Sequence, residues 1–259
     1  MSVARGSKKR LGVIGTFVWD VIHGRDPRSV PVEEWGGITY ALGGLDAALP
    51  DDWEIVPLMK IGADLAPRAR DFLRTLRHIA PDAALVEVPF PNNRVELRYF
   101  SAERRTETLT GGVPPWSWLA LQPLIAEARL DALYVNMISG FELELETAQL
   151  IRQHYRGPIY CDLHSLVLAV QPDGLRTYQP LPNVRQWCAC FDVIQVNEDE
   201  LAMMAPDPMA LAATACPRRE PGADPYGTRA GGARARRERG PDGMRRRLGR
   251  NPLLQAAGR

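Results

Sequence analysis

The chain has 259 residues, is 45% hydrophobic and 24% charged, and carries a formal net charge of +1. That composition allows a full hydrophobic core and excludes a chain that is disordered throughout. No run approaches the ~18 apolar residues of a membrane-spanning helix, and four Cys are too sparse for a disulfide-stapled scaffold.

The N-terminal Lys8-Lys9-Arg10 before residues 11–19 resembles a short secretion signal. Asp20 ends the run, Trp19 is bulky and no small-residue cleavage site follows, so a cytoplasmic protein with reduced thiols is expected. Residues 11–19 predict a buried strand ending at Asp20. The Ala- and Leu-rich stretch 36–49, opened by Gly36-Gly37, predicts a helix, and 53–61 a second buried strand. Leu65, Ala69, Phe72, Leu73 and Leu76 share one face of a predicted amphipathic helix over 65–80. Residues 84–109 then alternate apolar and polar side chains, the period of a half-exposed antiparallel ribbon. Its turn is expected at Pro89–Asn93, and 23–35 adds a strand to the same small sheet.

Helix-to-strand alternation resumes with a helix at 116–128 and a strand at 131–138. A helix at 143–155 carries Glu142, Glu144 and Glu146 about its first turn, and strands at 158–163 and 191–196 follow. Asn197 then opens a last helix, with Glu200 three residues on, the pattern of a capping box. Strands and helices at this spacing predict a Rossmann-like, doubly wound, mostly parallel α/β sheet, with the 84–109 ribbon as a β-lid.

In such sheets ligands bind beyond the carboxyl ends of the strands. Asp20, Gly36-Gly37, Asn136, Asp162 with His164, and Asn197 with Glu200 fall there. Asp20 can accept hydrogen bonds from ligand hydroxyls or serve as a turn residue. Gly36-Gly37 either lets a ligand approach the backbone or only turns the chain. The Cys188/Cys190 pair lacks partners at zinc spacing and reads as buried thiols, and no metal site is expected. P-loop, dinucleotide-fingerprint and nucleophile-elbow motifs are absent.

The last 44 residues differ from the rest. Segment 216–259 holds twelve Arg, no Lys and only four acids, with eight Gly and five Pro, and so reads as a disordered basic tail. Three origins compete: an inert tail, a basic arm for nucleic acid, and an out-of-frame reading of a G/C-rich gene. The abrupt change near 213–217 favours the last. No aromatic residue interleaves the arginines at 234–247, so they offer no base-stacking platform and nucleic acid is not the expected partner.

Taken in order, several segments resemble the PfkB (ribokinase-like) carbohydrate kinases. They are the first strand ending in Asp20, Gly36-Gly37-Ile-Thr-Tyr-Ala, Pro57-Leu-Met-Lys-Ile-Gly-Ala-Asp64, the lid region Arg94–Phe100 with Arg104-Arg105, and the strand reaching Asp162. The most specific is Asp192-Val-Ile-Gln-Val-Asn-Glu-Asp-Glu-Leu201. The resemblance covers about 10–215, a ribokinase-like domain with lid segments near 23–35 and 84–109. It implies transfer of the ATP γ-phosphate to a sugar or nucleoside hydroxyl. Asp20, Gly36 and Gly37 would hold substrate, Asn197 and Glu200 would support a Mg²⁺–phosphate network, and the lid would pair two copies. Two departures accompany it. Tyr40-Ala41 stands where the family often has Asn. The family's Gly-Ala-Gly-Asp, which supplies an anion hole and the catalytic base, has no counterpart; Gly222-Ala-Asp224 lacks the preceding glycine. The expectation is therefore a kinase domain truncated at its catalytic end and inactive as given, or else a non-catalytic sugar- or nucleoside-binding remnant.

Overall fold

The computed structural model describes residues 8–83, 85–102, 104–207 and 210–211. The basic segment 216–259, and its reading as disordered, lie outside the described residues. In chain order the elements are β1 (Lys9–His23), β2 (Val32–Gly37), α1 (Ile38–Ala48), β3 (Trp53–Gly62), α2 (Ala66–Arg74), β4 (Val86–Val88), β5 (Arg94–Tyr99), β6 (Arg105–Thr110) and α3 (Trp118–Ala128). There follow β7 (Ala132–Asn136), α4 (Leu145–His154), β8 (Ile159–Asp162), β9 (Leu168–Val170), β10 (Arg176–Tyr178), α5 (Val184–Ala189), β11 (Val193–Gln195) and α6 (Glu198–Met204).

The central sheet runs β11-β8-β7-β1-β3-β4, every neighbouring pair parallel. Successive side chains of a strand point to opposite faces, so β1 feeds two cores at once. Val13 packs with Ile38 and Leu42 of α1 and Ala69 and Leu73 of α2. Ile14 packs on the other face with Leu121 and Ile125 of α3 and Ile151 of α4. Helices cover both faces, the doubly wound α/β architecture expected.

β1 carries the first departure from expectation. Rather than ending at Asp20, it runs on to His23. Its first half pairs with β3 and β7; its distal half leaves that sheet and pairs antiparallel with β2 and parallel with β5. Asp20 thus lies inside a strand, where the charge that seemed to stop the run faces a cleft instead. The distal strand, β2, β5 and β6 form the lid, with a small core of Val18, Val95, Leu97 and Leu109.

The lid hairpin also differs. β5 pairs with β6, Tyr99 opposite Arg105, so the hairpin closes after β5 and not at Pro89–Asn93. β4 belongs to the central sheet, beside β3. Two-residue alternation looks the same in either sheet, and so could not assign the arm. Asn92 and Asn93 are buried ties at the joint where β1 passes between sheets. Asn92 Nδ2 donates to Phe17 O (2.9 Å) and Asn93 O (3.0 Å), and Asn92 Oδ1 accepts from Gly62 N (3.1 Å). Asn93 Oδ1 accepts from Val113 N and its Nδ2 donates to Ser139 Oγ, both at 3.1 Å. Asp64 accepts from Asn92 N at 2.8 Å and pairs with Arg94 at 3.1 Å, so Gly62-Ala-Asp64 works as a brace for this joint.

α2 is shorter than predicted because the backbone of 78–80 is claimed by β3: Ile55 N donates to His78 O and Ala80 N to Ile55 O. Glu142 lies outside α4. It is buried, and its carboxylate accepts from Ser139 N and Gly140 N. Among the described cysteines, Cys161 and Cys190 are buried. No described helix is long and apolar enough to cross a membrane.

Candidate functional site

A cleft of about 590 Å³ opens between the lid and the carboxyl ends of β7, β8 and β11. Asp20, Gly37, Asn136, Asp162 and His164, all expected at strand ends, line it. Gly36 lies beneath Asp20. A Cβ at position 36 would stand 2.6 Å from Asp20 Oδ1 and closer still to Oδ2, so glycine is required for the carboxylate to fold over β2. Gly37 ends β2 and precedes α1 at φ 55°, ψ −113°, a backbone region open to glycine alone. A Cβ there would also meet Ile138 Cγ2 at 2.5 Å. The two glycines therefore serve different ends: one seats the carboxylate, the other turns the chain.

Burial raises the Asp20 carboxyl to about 6, helped by the like charges of Glu107 and Glu34 and opposed by Arg105 and Arg176. Burial likewise raises Asp162, with Glu200 adding to the effect and His164 opposing it. Arg105 is held by Glu107 (2.7 Å) and the Tyr99 hydroxyl (2.9 Å), and these partners keep its charge in spite of burial. Asn136 Nδ2 donates to Tyr134 Oη at 2.7 Å, while its buried Oδ1 has no partner. The wall between these groups is apolar: Val18, Ile22, Val95, Leu97 and Ile138. Carboxylates set in an apolar, half-dry wall suit a ligand that presents several hydroxyl donors.

Asn197 and Glu200 form the capping box predicted for α6. Asn197 Oδ1 accepts from Glu200 N (2.8 Å), and Glu200 Oε2 accepts from Asn197 N (2.8 Å). Glu200 Oε1 also accepts from Asn197 Nδ2 (2.7 Å) and lies 2.9 Å from His164 Nδ1. That contact draws His164 upward in pKa against its burial. His164 stands at the end of β8 with φ 22°, a costly angle for a non-glycine residue. Neither Asn197 nor Glu200 lines the cleft; His164 connects them to it. With both Glu200 oxygens engaged and the side chain buried, this pair offers no free ligand to a cation. Among the described residues no three His, Cys, Asp or Glu side chains are grouped to hold a metal. The residues do not fit the Mg²⁺ that the resemblance implies, and no step is routed through it.

Sequence reasoning missed Glu107, Tyr134 and Arg176. The last comes from the β9–β10 hairpin, a segment that went unread. Its signal was present: Pro172-Asp173-Gly174 is a turn sequence that follows the apolar run 166–170.

No family model matches the chain, and no curated protein does. Solved structures do. An adenosine kinase from Schistosoma mansoni in complex with 2-fluoroadenosine aligns at TM-score 0.57 and 13% identity, over 81% of this chain and 71% of that one. A pyrophosphate-dependent kinase of the ribokinase family, in a sulfate complex, aligns at 0.56 and 12%, over 80% and 68%. A Burkholderia thailandensis nucleoside kinase in complex with inosine aligns at 0.50 and 14%, over 75% and 62%. The chain spans about two thirds of the length of these kinases. At such identities the likeness defines the fold: a mostly parallel α/β fold of the ribokinase type.

Proposed function

We propose that this chain carries the acceptor side of a ribokinase-like kinase, binding an uncharged sugar or nucleoside through its hydroxyls. The observation that carries the reading is Asp20: a half-buried carboxylate in the cleft wall, seated on a glycine and held by no hydrogen bond from the protein among those described. A carboxylate in that setting accepts hydrogen bonds from two hydroxyls of one ligand at once. The lid strands would shield the bound hydroxyl from water, the condition a phosphoryl acceptor needs. The carboxylates lining the cleft disfavour a sugar phosphate.

The resemblance implies ATP with Mg²⁺ as phosphoryl donor, but the described residues offer no group of ligands for that cation. Since none of the 259 residues form Gly-Ala-Gly-Asp, we propose that the chain as given binds acceptor without transferring phosphate. Two copies joined through the lid complete the reading, with solution mass as the check. Calorimetry with adenosine, inosine, ribose and ribose 5-phosphate tests the binding claim. Heat from an uncharged ligand, abolished in Asp20→Asn, supports it. Silence from all three uncharged ligands at millimolar concentration overturns it. An assay with ATP or pyrophosphate as donor tests the second claim, and measurable transfer to any bound acceptor refutes it.

A further inference from the structure

The β9–β10 hairpin belongs to neither sheet of the α/β body, yet it touches both the lid and the body. Leu109 N of β6 donates to Gly174 O at the hairpin turn (2.8 Å), and Thr108 of β6 bridges to Leu175. Gln179 N, just past the hairpin, donates to Val167 O (2.9 Å), closing its base onto the turn that follows β8. From this mount Arg176 enters the cleft wall with its side chain 3% exposed. Nη1 faces Glu107 Oε2 of the lid at 3.4 Å. Nη2 donates to Ile138 O (3.2 Å) and Ser139 O (3.4 Å), on the loop after β7. Nε is buried without a partner. One guanidinium thus ties lid strand to body loop and keeps an unused donor in the wall.

The charges around Asp20 explain why a cation is needed there. Glu34 stands on β2 and Glu107 on β6; the Tyr40 hydroxyl on α1 donates to Glu34. The neighbouring β5 presents Val95, Leu97 and Tyr99 to the cleft, the Tyr99 hydroxyl accepting from Arg105. Against these acids stand two guanidiniums, Arg105 and Arg176. Arg105 is taken up by Glu107 and Tyr99 at hydrogen-bond distance, whereas Arg176 is engaged more loosely.

We propose that Arg176 is a positioning residue of the acceptor cleft: it clasps the lid to the loop after β7 and supplies the buried positive charge that lets Asp20 and Glu107 face one ligand as carboxylates. This rests on the acceptor-cleft reading above. It adds a named residue, from a hairpin outside the two-sheet body, to the determinants of ligand binding. Arg and Lys are not equivalent here, because only the planar guanidinium reaches Glu107 and two carbonyls together.

Titration of Asp20 in the full-length chain, followed by carboxyl ¹³C NMR, tests the proposal without any ligand. In Arg176→Gln the Asp20 midpoint is expected to rise, because one of the two cations that lower it is lost. In Arg176→Lys it stays near the wild-type value. A folded Arg176→Gln variant with an unmoved Asp20 midpoint overturns the proposal. If Arg176→Gln does not fold, Glu107→Gln provides the second reading. It keeps the hairpin mounted through the Leu109–Gly174 bond and is expected to lower the Asp20 midpoint; no movement overturns the proposal equally. Adenosine calorimetry adds a functional readout. Arg176→Gln should weaken binding more at pH 6.5 than at pH 8.5, whereas a purely structural role would weaken it equally at both, and that result counts against the proposal. Absence of heat from the wild type with every probe defeats the acceptor reading and leaves the titration to decide Arg176.

Discussion

Replacing Gly36 with alanine separates ligand binding from folding at this site. Gly36 is in extended backbone, so its substitution carries no left-handed strain. The added Cβ would stand 2.6 Å from Asp20 Oδ1 and nearer to the rest of the carboxylate, so the acid must turn away. Turning one short side chain off its rotamer costs ~0.5–1.5 kcal/mol. Removing a glycine from the unfolded chain returns ~0.4–1 kcal/mol. The two nearly cancel, and Tm should move by no more than about 2–4 °C. Binding fares differently. A displaced carboxylate forfeits charge-assisted hydrogen bonds worth ~1.5–3 kcal/mol, which is about 10- to 150-fold in Kd. Calorimetry with the tightest-binding uncharged probe, beside thermal unfolding of the same sample, reads both. The contrast is Gly37→Ala, whose φ of 55° and clash with Ile138 should cost stability of about 1–3 kcal/mol or more. Wild-type affinity in a folded Gly36→Ala variant would refute the idea that the Asp20 carboxylate is the ligand's anchor.

Other consequences follow from buried groups. Asp20 has a folded-state pKa near 6 against an ordinary 3.8, so the ligand-free fold binds that proton more tightly than the unfolded chain. Its contribution to stability is therefore lost as pH rises from about 4 to 6. Asp20→Asn should be the more stable protein at pH 7.5, by about 1 kcal/mol once solvent screening is allowed for, and the difference should vanish below pH 4 in urea titrations. Ligand affinity should fall as pH drops through 6. Asn92→Ala leaves the Gly62 amide and the Phe17 carbonyl without the Asn92 side chain, while Asn93 O keeps its bond from Trp19 N; at ~1–3 kcal/mol for each unsatisfied group this should cost at least ~2 kcal/mol in chemical denaturation. Glu200→Ala removes half of the α6 capping box and the His164 contact, an expected loss of about 2 kcal/mol. Glu200→Gln, which keeps the shape and can still accept from Asn197 N, should lose less.

The alternation of apolar runs with amphipathic stretches placed β1, β3, β7, β8 and β11 and the helices α1 to α4 and α6, because burial on both faces demands continuous apolar strands whatever the ligand. The α6 capping box was equally legible, since it is a local bargain between residues three apart. Asp20, Gly36, Gly37, Asn136, Asp162 and His164 were legible as a group from one rule, that strands of such sheets deliver residues to one edge. What the sequence left open was every question of pairing. Alternation in 84–109 holds for β4 and β5 alike, yet one joins the central sheet and the other the lid. Asp20 looked like a terminus because a charge interrupts an apolar run. Only the passage of β1 from one sheet to the other makes a carboxylate tolerable inside a strand, by giving it a cleft to face. The reason for Gly36 lies in a side chain sixteen positions earlier, and Arg176 meets Glu107 across 69 residues. Contacts of that range are set by how the lid folds back over the sheet, which no local periodicity records.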